Sequence, residues 1–143
     1  MHPPDDALAE AFRDDDAFVA AFRDGSLPAE SFPHREHVRM AWLYLERHPT
    51  SAALQHFSDD LRRFAAAKGN AALYHETITW AYLLLIAERR VGAPAGETYA
   101  AFAERNRDLF GWKPSVLERY YRSDTLLSER ARGVFVLPDR LEA

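Results

Sequence analysis

The chain has 143 residues, of which 48% are hydrophobic and 28% are charged, and it carries a formal net charge of −4, six histidines and no cysteine. These proportions are typical of one soluble globular domain, and the absence of cysteine excludes a thiolate zinc site, a disulfide scaffold and an iron–sulfur cluster. Any transition metal would therefore be held by histidine, carboxylate or tyrosine side chains.

The charge pattern and the first residues of the chain indicate which binding partners and which cellular location to expect. The acidic balance, without blocks of basic residues, argues against nucleic-acid binding, because phosphates require a broad basic surface. Residues 1–6 have neither a basic start nor an apolar core, so we expect no signal peptide and a disordered beginning of the chain. The longest apolar run, 78–87, covers only about half of a membrane span. We therefore expect a cytoplasmic protein that binds neither nucleic acid nor membranes.

Proline, glycine and the spacing of the apolar residues predict the elements in chain order. The first helix is expected over 5–24, with a break at 14–16. Further helices are expected over 33–48, 50–68, 72–90, 96–107 and 123–132, and Lys113 and Pro114 are expected to open a short helix before the last of these. Residues 134–137 have no second strand to pair with, so we expect an extended C-terminal tail there. The sequence thus predicts an all-α fold, an irregular bundle of five to seven helices forming a single globular domain over 1–143.

Three histidines form the most informative cluster of the sequence. His34 and His37 lie three residues apart on the apolar face of the second predicted helix, a spacing that allows one helix to hold one metal ion. His75 lies near the start of the predicted helix 72–90. If these helices and the one between them run up, down and up through short loops, all three histidines meet at one end of the bundle. The sequence therefore predicts a divalent metal site, with zinc, iron or copper as candidates.

Several neighbours could complete such a site. Thr79 and Tyr82 share the helix face of His75, and either hydroxyl could contact a ligand or orient a metal-binding imidazole. Glu76 follows His75 directly, but on a helix it would point about 100° away. In an enzyme, an open coordination position would activate a water or bind a small substrate. Two aromatic residues that flank the apolar row of the second helix complete the predicted pocket: Trp42 and Tyr44.

Two alternatives to a metal site remain open. The partial positive charge of helix N-termini disfavours a cation held by neutral imidazoles alone, although a carboxylate such as Asp15 would compensate. The same pocket could instead serve a metal-free module that binds a small ligand or an anion. In the third interpretation, the histidines are hydrogen-bonded core residues of a structural or interaction protein. The sequence does not decide the reaction, the substrate or the oligomeric state.

The other three histidines are expected to lie outside the site. His48 ends the second predicted helix, where it complements the helix dipole. His56 falls on the polar side of the third predicted helix together with Asp60 and Arg63, so we expect it to be solvated. His2 belongs to the terminus that we expect to be disordered.

Two stretches carry a resemblance to a known family: FPHREHVRMAW at 32–42 and YHETIT at 74–79. The chain resembles a family of small uncharacterised bacterial helical proteins that carry an F-x-H-x-x-H…A-W and a Y-H-E-T-I-T signature. The similarity extends through Tyr120 and Tyr121 to FVLPD at 135–139, so it covers most of the chain past residue 15. The resemblance implies a bacterial origin and places the three clustered histidines in the family signature, but it implies no particular reaction.

Overall fold

The computed structural model of the chain describes residues 10–140. Within this range the chain forms seven α-helices and four short 3₁₀ turns, without a β-strand. The expected all-α fold class, an irregular helical bundle, is confirmed. The disorder predicted for 1–6 and the placement of His2 lie outside the described residues. The helices are α1 (Asp15–Asp24), α2 (His34–Arg47), α3 (Thr50–Ala67), α4 (Glu76–Arg90), α5 (Tyr99–Arg105), α6 (Ser123–Leu126) and α7 (Glu129–Gly133).

The 3₁₀ turns lie in the connections between these helices. They cover Ala29–Ser31, Ala71–Leu73, Arg107–Phe110 and Val116–Arg119. The first precedes α2, the second precedes α4, and the last two fill the stretch between α5 and α6. The turn Arg107–Phe110 packs on α2, and the turn Val116–Arg119 packs on α4.

Helix α1 has clear signals at both ends. The Asp14 side chain accepts a hydrogen bond from the Ala17 amide, as an N-cap does, so the predicted break in the acidic run is confirmed. Gly25 ends the helix with a φ of 81°, in the left-handed region that favours glycine. The helix buries Phe18 and Phe22 on its inner face.

Helices α2, α3 and α4 pack against one another and form the centre of the bundle. Helix α2 begins directly after Pro33 and ends before Pro49, because proline is favoured just outside or in the first turn of a helix and is excluded from its interior. Helix α1 packs on α2 and α3, and α7 packs on α4. This arrangement fixes which side chains can meet at each end of α2.

Four predicted helices differ from the structure. The helix predicted over 96–107 is shorter, Tyr99–Arg105, because the Thr98 side chain accepts from the Ala101 amide and caps it. The predicted helix 72–90 begins only at Glu76, because residues before it form a 3₁₀ turn and the side chain of His75 caps α4. The predicted helix 123–132 is interrupted, because the Ser128 hydroxyl accepts from the Ala131 amide and starts α7. The short helix predicted after Pro114 is a 3₁₀ turn that begins with a capping box of Ser115 and Glu118.

The C-terminal segment 134–137 is extended, as expected, and the structure shows that it packs against α4. The Thr77 hydroxyl donates to the Val134 carbonyl at 2.8 Å and accepts from the Val136 amide at 3.0 Å. The Tyr121 hydroxyl donates to the Val136 carbonyl at 2.7 Å. The ring of Phe135 stacks on Trp80. Side-chain hydrogen bonds therefore hold this segment in place of a second strand.

Among the helices of residues 10–140, none combines the length and the apolar character that a membrane span requires.

Candidate functional site

A cavity of about 270 Å³, which we call the His37 pocket, lies where α2 and α4 begin and α3 ends. Its apolar lining comes from Phe32, Leu61 and Phe64. Its polar lining at the helix starts comes from His37, His75 and Thr79. The other lining residues are Ala29, Ala65, Lys68, Asn70, Leu73 and Tyr74.

His37 lies in the first turn of α2 and is partly buried. Its ring stacks on Phe32, with the two ring centroids 4.0 Å apart. The pKa of His37 is lowered to about 4, chiefly by burial and in addition by the charge of nearby His34, while a hydrogen bond to the Phe32 backbone opposes the shift. The imidazole is therefore uncharged at neutral pH, with one ring nitrogen as a donor and the other as an acceptor.

His75 uses both ring nitrogens within the chain. Nδ1 accepts from the Ile78 amide at 3.0 Å and thereby caps α4, and Nε2 donates to the Leu126 carbonyl at 2.7 Å. Burial lowers the pKa of His75, and the hydrogen bond to Leu126 opposes the shift. The Thr79 hydroxyl donates to the His75 carbonyl at 2.7 Å, which anchors this side of the pocket.

His34 occupies a different environment from His37. Its Nε2 donates to the Leu109 carbonyl at 2.8 Å, and its ring centroid lies 4.9 Å from both Tyr82 and Trp112. Burial lowers the pKa of His34, and the hydrogen bond to Leu109 opposes the shift. The Tyr82 hydroxyl is hydrogen-bonded to Ser115 at 2.7 Å. His34 and Tyr82 therefore belong to an aromatic cluster beside the His37 pocket and do not line it.

The remaining predicted site residues have partners elsewhere. Glu76 forms an ion pair with Arg62 at 3.1 Å, and Asp15 forms one with Arg39 at 2.9 Å. The ring of Trp42 packs against Tyr99.

Tyr44 donates its hydroxyl to Asp60 at 2.6 Å, in a second cavity farther along α2. Of the five predicted companion residues, only Thr79 lines the His37 pocket.

The predicted three-histidine metal site stays a prediction. His37 and His75 line one cavity, whereas His34 is turned toward Leu109. Within residues 10–140, no group of three or more histidine, aspartate or glutamate side chains is arranged to hold a metal ion. To ligate a metal, His75 would have to give up a ring hydrogen bond to the chain.

The end of α3 supplies pocket residues that the sequence analysis did not assign to the site. Leu61, Phe64 and Ala65 lie on one apolar stripe of this helix, and the up-down-up topology brings its last turns beside the starts of α2 and α4. The up-down-up topology that brings the histidine-bearing helix starts together therefore also predicts that the end of α3 lies beside them. Lys68 also lines the pocket, and its ammonium group donates to the Gly25 carbonyl at 3.0 Å.

Comparisons with protein-family models, with curated proteins and with solved structures found no match to this chain. The resemblance based on the two histidine signatures therefore stays a prediction. The residues of the chain itself are the basis for any functional conclusion.

Proposed function

We propose that this protein binds a small uncharged organic molecule in the His37 pocket, without a metal ion. One observation carries the proposal: a cavity of about 270 Å³ combines the apolar side chains of Phe32, Leu61 and Phe64 with the neutral imidazole of His37. Small-molecule sites are typically concave and mostly apolar, with a few polar groups that fix the orientation of the ligand.

The charge state of the lining supports an uncharged ligand. His37 is neutral because burial lowers its pKa to about 4, and both ring nitrogens of His75 are bonded to the chain. The ammonium group of Lys68 donates to the Gly25 carbonyl and lies 5.4 Å from the centroid of the Phe64 ring. A cationic ligand would lose hydration and meet no carboxylate among the residues that line the pocket, and an anionic ligand would meet a single ammonium group that is already hydrogen-bonded to the chain.

The polar lining also indicates which group of the ligand would be recognised. A neutral imidazole that donates to the Phe32 backbone presents its second ring nitrogen as an acceptor. A hydroxyl group, an amide N–H or a ring N–H of an uncharged ligand can donate to this nitrogen. We therefore expect an apolar molecule with one hydrogen-bond donor.

A fragment screen followed by amide ¹H–¹⁵N NMR tests the proposal, with two matched variants in α3. Ala65 lines the pocket, whereas its exposed neighbour Ala66 is not among the lining residues. We expect Ala65→Phe to fill the cavity and weaken binding at least tenfold, and Ala66→Phe to leave it unchanged. Fragments that bind the wild type and both variants equally would contradict the proposal.

A third variant separates this proposal from metal binding. His37→Leu keeps the volume but removes the acceptor, so it should weaken fragments that carry a donor about five- to tenfold, which corresponds to about 1 kcal/mol. Metal analysis of tag-free protein completes the test. Near-stoichiometric metal that His37→Ala loses and His56→Ala retains would overturn the metal-free proposal.

A further inference from the structure

A second cavity, of about 240 Å³, lies at the other end of α2 and is independent of the His37 pocket. We call it the His48 pocket. Its volume is about eight times the share of a water molecule in the liquid, so it can hold a small solute. Its polar lining consists of Arg23, Tyr44, Arg47, His48, His56 and Asp60.

The carboxylate group in this cavity belongs to Asp60, and it is already bonded to other side chains of the protein. Asp60 is only 7% exposed, although the helical pattern predicted it on the solvated face of α3. The Tyr44 hydroxyl donates to Oδ2 at 2.6 Å, Arg63 donates to Oδ1, and Arg23 lies 3.7 Å from Oδ2. Both carboxylate oxygens therefore have partners, and the negative charge is compensated.

The other polar groups of the cavity are basic. His48 directly follows α2, His56 lies in the second turn of α3, and the centroids of their rings are 4.7 Å apart. Arg47 contacts Asp16 at 2.5 Å, but that aspartate is 86% exposed, and such surface ion pairs contribute little. Arg47 can therefore exchange this partner for a ligand at small cost.

We propose that the His48 pocket binds a small oxyanion, the phosphate or carboxylate group of a metabolite, through Arg23, Arg47, His48 and His56. Guanidinium groups match the planar or tetrahedral oxygens of such anions with paired donors. Each imidazole adds an N–H donor. A cation would meet two guanidinium groups and a carboxylate whose oxygens are already bonded.

The test is a titration of ¹⁵N-labelled protein with sodium phosphate and, separately, with sodium acetate, at an ionic strength kept constant with sodium chloride. We expect saturable shifts at His48 and His56. Tighter binding of phosphate identifies a phosphate site, and tighter binding of acetate identifies a carboxylate site. Shifts that do not saturate would overturn the proposal.

Substitutions of two basic residues in the pocket, with one control substitution of an arginine outside it, complete the test. Arg47→Gln and His56→Gln should each weaken anion binding about five- to tenfold, while Arg35→Gln removes a charge at the opposite end of the same helix and should have no effect. The three side chains are exposed, so we expect all variants to fold, which circular dichroism checks. Equal effects of all three variants, or stoichiometric Zn²⁺ binding by His48 and His56 in place of the anion, would also overturn the proposal.

Discussion

At the scale of single residues, the uncharged state of His37 is the property on which the proposed ligand site depends. The ring is stacked on Phe32, and burial is the largest cause of its low pKa. Protonation would place a positive charge beside Phe32 and Phe64. The residues that line the pocket include no carboxylate to pair with this charge. His37 therefore acts as a hydrogen-bonding group rather than as a cation.

This property predicts a pH dependence of stability. The pKa of His37 falls from 6.5 in the unfolded chain to about 4 in the folded protein, so the unfolded chain binds more protons between these values. The contribution of His37 is fully present above pH 6.5 and is lost as the pH falls toward 4. We expect the free energy of unfolding of the wild type to drop by about 2 kcal/mol more than that of His37→Leu between pH 7 and pH 4.5.

Urea denaturation at a series of pH values measures this difference. Other groups titrate in the same range, but their effects are common to both proteins and cancel in the comparison. Parallel pH profiles for the wild type and His37→Leu would show that the imidazole of His37 is not held neutral.

At the scale of secondary-structure elements, His75 determines where α4 begins. Its Nδ1 satisfies the Ile78 amide, one of the first helical amides that lack a partner within the helix. Its Nε2 ties this helix start to Leu126 at the end of α6. One side chain thus caps a central helix and attaches the C-terminal part of the chain to it.

Two different substitutions of His75 should therefore separate the effects of its two hydrogen bonds on stability. His75→Ala removes both hydrogen bonds, and we expect it to lower the free energy of unfolding by about 2 kcal/mol. His75→Asn keeps a capping oxygen and loses only the bond to Leu126, so we expect a loss of about 1 kcal/mol.

Chemical denaturation of the two variants, with the surface substitution His56→Ala as a control, checks this order. The control should change stability by less than about 0.5 kcal/mol. If His75→Asn were as destabilising as His75→Ala, the capping role would be refuted.

The ends of the helices show how much of the fold the sequence could predict. Both ends of α2 were predictable because Pro33 and Pro49 flank it, and the start of α1 was predictable because aspartate is a common N-cap. The start of α4 was not, because histidine is not among the side chains that usually cap helices. The 3₁₀ turn before it continued the helical pattern of the sequence.

The candidate sites were predictable only in part. That His37 and His75 approach one cavity follows from short loops and an up-down-up topology. The orientation of His34 depends on Leu109, which lies 75 residues away in the sequence, so no local pattern reports it. The burial of Asp60 likewise depends on the Tyr44 hydroxyl from another helix, which local periodicity does not show.

At the scale of the whole molecule, α2 connects two chemically different cavities. The His37 pocket at its start is apolar with a neutral imidazole, and the His48 pocket at its end is lined by guanidinium and imidazole groups. The bundle of α2, α3 and α4 holds both, because α3 runs back along α2 and contributes Phe64 to the first cavity and His56 to the second. The two proposals can therefore be tested independently on one protein.

The central claim is that the clustered histidines of this bundle are neutral hydrogen-bonding groups around a metal-free ligand pocket. The most direct measurement is a long-range ¹H–¹⁵N correlation spectrum of the imidazole nitrogens in tag-free protein at pH 7, recorded with and without one equivalent of Zn²⁺. We expect neutral rings for His34, His37 and His75, with the proton of His75 on Nε2, and no joint change on addition of Zn²⁺. Charged rings at pH 7, or a common shift of all three on addition of Zn²⁺, would contradict it.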